Sequence, residues 1–226
     1  MPILIIILIL FIVIYGPSLW AKHVLKKYNK DQYFSGTGID LARLLLDRMD
    51  MKSVRVEETE LGDHYDPENK VVRLSRENGR NKSLTSVVVA AHEVGHAIQA
   101  HTRYRPLQTR NRMITTAHKM EKLGAILMLV VPLITVITRV PAAGFLMLIG
   151  GFITLCIPLV VHFVTLPVEF DASFNRALPI LAAGDYIPTE DLPAARKILM
   201  ACALTYVASA LASLLNIWRW IRILRR

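Results

Sequence analysis

Ser83-Leu84-Thr85-Ser86-Val87-Val88-Val89-Ala90-Ala91-His92-Glu93-Val94-Gly95-His96-Ala97-Ile98-Gln99-Ala100 is the stretch that decides the reading of this chain. It is an apolar run opened by a Ser or Thr that can cap a helix. Its charged residues are confined to the His92, Glu93 and His96 cluster. On a helix, residues four apart share a face, so both imidazoles can bind one metal ion with Glu93 beside it. Neutral imidazole is a good zinc ligand, and zinc brings the pKa of water it binds close to neutrality. An adjacent carboxylate can take that proton during attack on a carbonyl and later pass it to a leaving amine. The same five residues also fit an ordinary helix whose polar groups make hydrogen bonds. Burying His and Glu unpaired is costly, and a metal supplies the missing partner. Gly95, a weak helix former, leaves room for another backbone to come close.

The 226 residues are 53% hydrophobic with a mean hydropathy of +0.39, which points to a membrane protein carrying one modest polar domain. Residues 1–21 read as an uncleaved transmembrane anchor, since no basic segment or small-residue cleavage site accompanies the run from Ile3 to Tyr15. Leu123 to Thr138 and Ala142 to Leu166 read as a transmembrane hairpin over residues 123–166, broken near Arg139 and Pro141. Residues 197–226 form a last segment, apolar from Lys197 to Trp218 but rich in Ala, Ser and Thr, that either spans the membrane or packs against other helices.

The net charge of +9 does not imply nucleic acid, because Lys22, Lys26, Lys27 and Lys30 follow the first apolar run and Arg219, Arg222, Arg225 and Arg226 end the chain. Basic residues at such places are topology signals or contacts to the lipid bilayer, and they predict a multi-pass protein of the cell membrane with its site on the cytoplasmic side. Cys156 and Cys202 lie in apolar segments and read as small buried hydrophobes.

The polar domain covers residues 22–122. Gly38 to Met51 has a helical apolar face. Val54 to Glu58 alternates like a strand, and Val71 to Leu74 reads as a second strand after the turn signal Asp66-Pro67-Glu68-Asn69. A catalytic zinc usually has three protein ligands. Residues 167–196 follow the hairpin, and Glu169 emerges there on the same side as His92 and His96, so it can be the third. Position equally allows Glu169 to be a carboxylate favoured by a helix dipole.

At this point the chain resembles the neutral zinc metallopeptidase family, also called Zn-peptidase-2 or YugP-type membrane metallopeptidases. The likeness rests on Asp63-His64-Tyr65-Asp66-Pro67, Val72-Arg73-Leu74-Ser75, Ala90 to Gln99, Thr165 to Ser173 and Ala203 to Ala208, and it covers almost the whole chain. More distantly, the chain is similar to HtpX-like and CAAX-prenyl-protease-like membrane peptidases, which carry a Glu-x-x-Ala-Asp segment after the two-histidine motif. The resemblance implies a mainly α membrane protein with a small α+β zincin-like (gluzincin-like) metallopeptidase domain. It further implies one Zn²⁺ per chain held by His92, His96 and Glu169, with Glu93 as the base in hydrolysis of peptide or membrane-protein substrates.

Ser173 stands where those relatives have Asp, so its hydroxyl is expected to bond a ligand histidine, while Asp171 should point nearly opposite. The same likeness makes Asp63 to Ser75 an edge that can bind an extended peptide, with His64 and Tyr65 as donors to an oxyanion. His162 is expected to make a polar contact between helices. Two other classes remain open, a metal-stabilised scaffold without catalysis and a metal-dependent adaptor. Glu93 counts against both, since a structural zinc needs no base.

Overall fold

The computed structural model describes residues 2–30, 35–117, 119, 120, 130, 150 and 160–214. Its named elements run α1 (Pro2–Lys27), α2 (Gly38–Arg48), β1 (Arg55–Thr59), β2 (His64–Asp66), β3 (Val71–Ser75), α3 (Arg76–Arg80) and α4 (Leu84–His101). After helical residues 105–117 and 160–170, a π-helical turn (Asp171–Ala177) leads into α5 (Leu178–Ala183), a 3-10 turn (Thr189–Asp191) and α6 (Leu192–Leu214).

Local chemistry sets most of these boundaries. Thr37 and Asp40 form a reciprocal capping box at the start of α2, satisfying two backbone N–H groups that the helix cannot. Ser83 accepts from the Ser86 N–H at the start of α4. Between β2 and β3, the Asp66 carboxylate accepts from the backbone N–H groups of Glu68 and Asn69, and Lys70 adopts a positive φ of 51° that turns the chain back. Arg73 then donates to Asp66 at 2.7 Å across the hairpin.

The sheet order is β1-β3-β2, with β1 parallel and β2 antiparallel to β3. Val71, Val72 and Leu74 of the central strand are fully buried, and the sheet packs its apolar side against α2, α3 and α4. α4 runs through the middle of the core: Leu84 to Ala97 are buried without a break. A helix buried on every side can keep polar groups only where they find partners, which is where the site lies.

Gly95 is where α4 and the π-helical turn come closest. A Cβ there would stand 2.7 Å from the Ala172 carbonyl oxygen, nearer than real contacts allow. The absent side chain lets the segment after Glu169 lie directly on the motif helix.

The expected membrane-protein fold is corrected. The described structure is mainly helical with a small sheet, and among the described residues no helix is long and apolar enough to cross a membrane. α1 packs along α6 and enters the domain core near its C-terminal end, through Ala21 and Val24. The end of α1 is tied down as well, with Thr85 Oγ1 donating to the Leu25 carbonyl and the Thr85 N–H to that of Tyr28. In α6, Ile198, Leu199, Ala201 and Ala203 are fully buried, so this segment serves packing. Most of the expected hairpin, residues 123–166, lies outside the described residues, as do Cys156, Trp218 and Trp220. The expected multi-pass arrangement finds no support among the described residues.

Gly95→Ala should lower stability by about 1–3 kcal/mol, the range for overpacking a tight interior. Urea titration checks it: the midpoint should fall with an unchanged slope. An unchanged midpoint would mean that the two segments can separate freely.

Candidate metal centre

His92 and His96 lie one turn apart on α4, and Glu169 reaches them from the end of helical residues 160–170. The His92 and His96 Nε2 atoms lie 3.3 and 3.2 Å from one oxygen, Glu169 Oε2. All three residues are buried, Glu169 completely, and the ligand-type atoms lie within 4.8 Å of one another.

The hydrogen bonds behind the cluster fix which ring nitrogen carries the proton. Gln99 Nε2 donates to the Val168 carbonyl and to Asp171 Oδ2, both at 2.8 Å. Its Oε1 is thereby turned to His96 Nδ1, 3.0 Å away, and an amide oxygen only accepts. His96 Nδ1 must be the donor. On the other ring, Ser173 Oγ donates to the Leu199 carbonyl at 3.3 Å and stands 3.1 Å from His92 Nδ1, from which it accepts. In the neutral rings both Nε2 atoms then present lone pairs to a carboxylate oxygen. Lone pairs facing a buried anion at hydrogen-bond distance require a cation between them.

The geometry fits a metal ion in that role. Bonds of about 2.0–2.1 Å in a tetrahedral site set neighbouring donors about 3.3 Å apart. The two measured separations match that edge. Glu169 Oε1 is buried without a hydrogen-bond partner, so no other group competes for this carboxylate. His, His and carboxylate are a donor set suited to zinc.

The electrostatics agree. Burial would lift the Glu169 carboxyl, but His96 and His92 outweigh it and hold it well below the usual carboxylate range. Burial would lower His96, yet the Glu169 charge raises it to about 9, so without a metal the cluster captures a proton instead. Glu93 differs. Burial pushes its carboxyl up, and the neighbouring histidines offset this in part. With His92, Glu93 lines a cavity of about 250 Å³.

Residues 3–225 match the family described as "Putative neutral zinc metallopeptidase". The chain is 37% identical over 216 residues to "Putative membrane protease YugP" of Bacillus subtilis (strain 168), covering 92% of each chain. This chain belongs to that neutral zinc metallopeptidase family. No solved structure matches it.

The structure thus places His92, His96, Glu169 and Ser173 together, with Glu93 at the cavity wall. Asp171 is not one of the three clustered ligand-type residues but joins them through Gln99, and is itself held by Arg176 Nε at 2.8 Å and Asn175 Nδ2 at 3.1 Å. His64 and Tyr65 line no part of this cavity. His64 Nδ1 donates to the Gly62 carbonyl, and Tyr65 packs against the core. His162 stands outside the cluster, with its imidazole lowered by burial and by the charge of Arg110. Gln99 escaped the sequence reading. Its signal was a polar residue three positions after His96 on an otherwise buried helix.

Gln99→Leu should weaken zinc affinity by roughly 10–100-fold, as losing a partner that orients a ligand histidine does elsewhere. Ser173→Ala should weaken it less, because a hydroxyl is a poorer acceptor than an amide oxygen. Competition with a chelating dye measures both, and wild-type affinity in Gln99→Leu would free His96 from this contact.

Proposed function

We propose that this protein is a zinc-dependent endopeptidase with one Zn²⁺ per chain, held by His92, His96 and Glu169. The observation that carries the reading is the single carboxylate oxygen facing two imidazole Nε2 atoms, with Glu93 opening on a cavity beside the same ring of His92. A zinc ion bound there would polarise a scissile carbonyl and acidify the attacking water.

Glu93 takes the water's proton and delivers it to the leaving amine. Burial raises its carboxyl toward the working range of a base that must also act as an acid. Gln99 and Ser173 keep the two Nε2 atoms aimed at the metal position. β2 stands at the edge of the sheet and packs against α4, so its outer side can hold a substrate as an added strand. The buried surroundings exclude bulk water from everything except the cavity. A scaffold or adaptor would have no use for a base in that wall.

The relative's name makes a membrane the proposed workplace. Leu4, Ile5, Phe11, Ile12 and Leu19 are exposed on α1 and supply an apolar surface that can meet lipid without crossing it.

Glu93→Gln should keep one zinc per chain and lose hydrolysis of an unfolded protein substrate by about 10²–10⁴-fold, since Gln preserves size but cannot accept the proton. Metal analysis and a cleavage assay check the two halves. Full turnover in the variant would remove Glu93 as the base, and equal zinc in wild type and His96→Ala would remove the metal site.

A further inference from the structure

The cavity beside Glu93 is lined by both apolar and polar groups. Leu25 of α1, Val89 of α4 and Cys202 of α6 form an apolar wall, with Thr205 one turn beyond Cys202. Val89 precedes Glu93 by one helical turn, so this wall continues directly from the base. Asp63 and Asn78 line the same cavity.

Asp63 is rigidly placed. Its Oδ1 accepts from the Ser75 N–H at 2.7 Å and from Ser75 Oγ at 3.0 Å, and its Oδ2 accepts from Asn78 Nδ2 at 2.7 Å. These donors are neutral. Three other carboxylates around the sheet and the site each have an arginine partner: Asp66 has Arg73, Glu58 has Arg80 and Asp171 has Arg176. Among the described residues no ion pair reaches Asp63. Oδ2, with one donor, keeps accepting capacity, and Asp63 is among the residues that line the cavity.

A half-buried carboxylate without a counter-charge gives the cavity a negative potential. Cys202 responds to it: burial raises its thiol, and the charges of Glu93 and Asp63 raise it further. An apolar wall leading to an anion matches a long side chain with an aliphatic stem and a cationic tip.

Resting on the peptidase reading above, we propose that this cavity is a substrate subsite for a lysine or arginine side chain next to the scissile bond, with Asp63 as the partner of its charge. Val89 and Cys202 flank the stem. Asn78 and Ser75 keep the carboxylate in place and leave its charge for the substrate. Asp63 thereby sets specificity and takes no part in the proton transfers of Glu93.

The test uses zinc-loaded full-length protein and peptides that are acetylated and amidated at their ends. The peptides differ at one residue, placed in turn at the two positions flanking the bond, as lysine, norleucine or glutamate. At one position lysine should exceed norleucine in kcat/KM by roughly tenfold, as expected for a partly desolvated ion pair, and glutamate should be poorest. Asp63→Asn should bring the lysine-to-norleucine ratio close to one. Binding of the same peptides to zinc-loaded Glu93→Gln, followed by fluorescence anisotropy, should give the same order.

Norleucine equal to or better than lysine at both positions, in turnover and in binding, overturns the proposal. A companion set with free α-amines is run beside them, and a lysine preference that appears only in that set also overturns the proposal and makes the cavity a site for chain termini. Because binding to Glu93→Gln needs no turnover, a lysine preference there without hydrolysis by wild type would overturn the peptidase reading and support the subsite.

Discussion

A buried carboxylate oxygen facing two imidazole nitrogens is the constraint around which the chain is arranged. Glu169 Oε2 lies 3.2 Å from His96 Nε2 and 3.3 Å from His92 Nε2 in surroundings from which water is excluded. An uncompensated charge so placed costs several kcal/mol. The cluster therefore favours a cation between these groups, and the strength of that preference depends on groups that stand behind it. Gln99 and Ser173 hold the ring protons on the far side, so each lone pair faces the carboxylate. Binding of a metal at such a place is part of the folding free energy.

The same constraint explains the backbone. Glu169 and Ser173 belong to different parts of one continuous helical segment, and both must lie against α4. The π-helical turn from Asp171 to Ala177 widens the spiral between them and α5, and Gly95 removes the one side chain that would hold the segment off. Asp171, not one of the three clustered residues, still acts on them because Gln99 spans the gap and Arg176 neutralises it. Elsewhere Asp66, Glu58 and Asp171 are paired with arginines. Glu93 and Asp63 depart from that pattern, and they share one cavity.

Spacing made part of this legible in the sequence. Two histidines four apart on an apolar run must share a helix face, and alternation marked the strands within a residue of their observed ends: Val54 to Glu58 against Arg55–Thr59, and Val71 to Leu74 against Val71–Ser75. What spacing cannot convey is which apolar helices face protein. The run from Ile3 to Tyr15 invites a membrane reading by hydropathy, yet Ala21 and Val24 of the same helix are buried against the domain, and hydropathy counts both situations alike. The short strand β2 had no pattern to reveal it, since a three-residue strand offers hardly one period. Gln99 was hidden for a different reason. Its role depends on Val168 and Asp171, about seventy positions away in sequence, and a local reading cannot see an acceptor held by such distant partners.

Two buried glutamates in one site end up with opposite tendencies, and the difference lies in their neighbours. Glu169 has two imidazoles at contact distance, which override the effect of burial and keep it charged. Glu93 has no such direct partner among the hydrogen bonds of the site, so burial prevails and its carboxyl moves upward. A permanently ionised carboxylate suits a ligand and makes a poor proton carrier, whereas one drawn toward neutrality can both take and release a proton. Exchanging the two roles would require moving Gln99 and Ser173, because they decide where the imidazole lone pairs point. The contrast between the two carboxylates therefore rests on which groups α4 sets beside each of them, and it is the contrast that the proposed roles of ligand and base require.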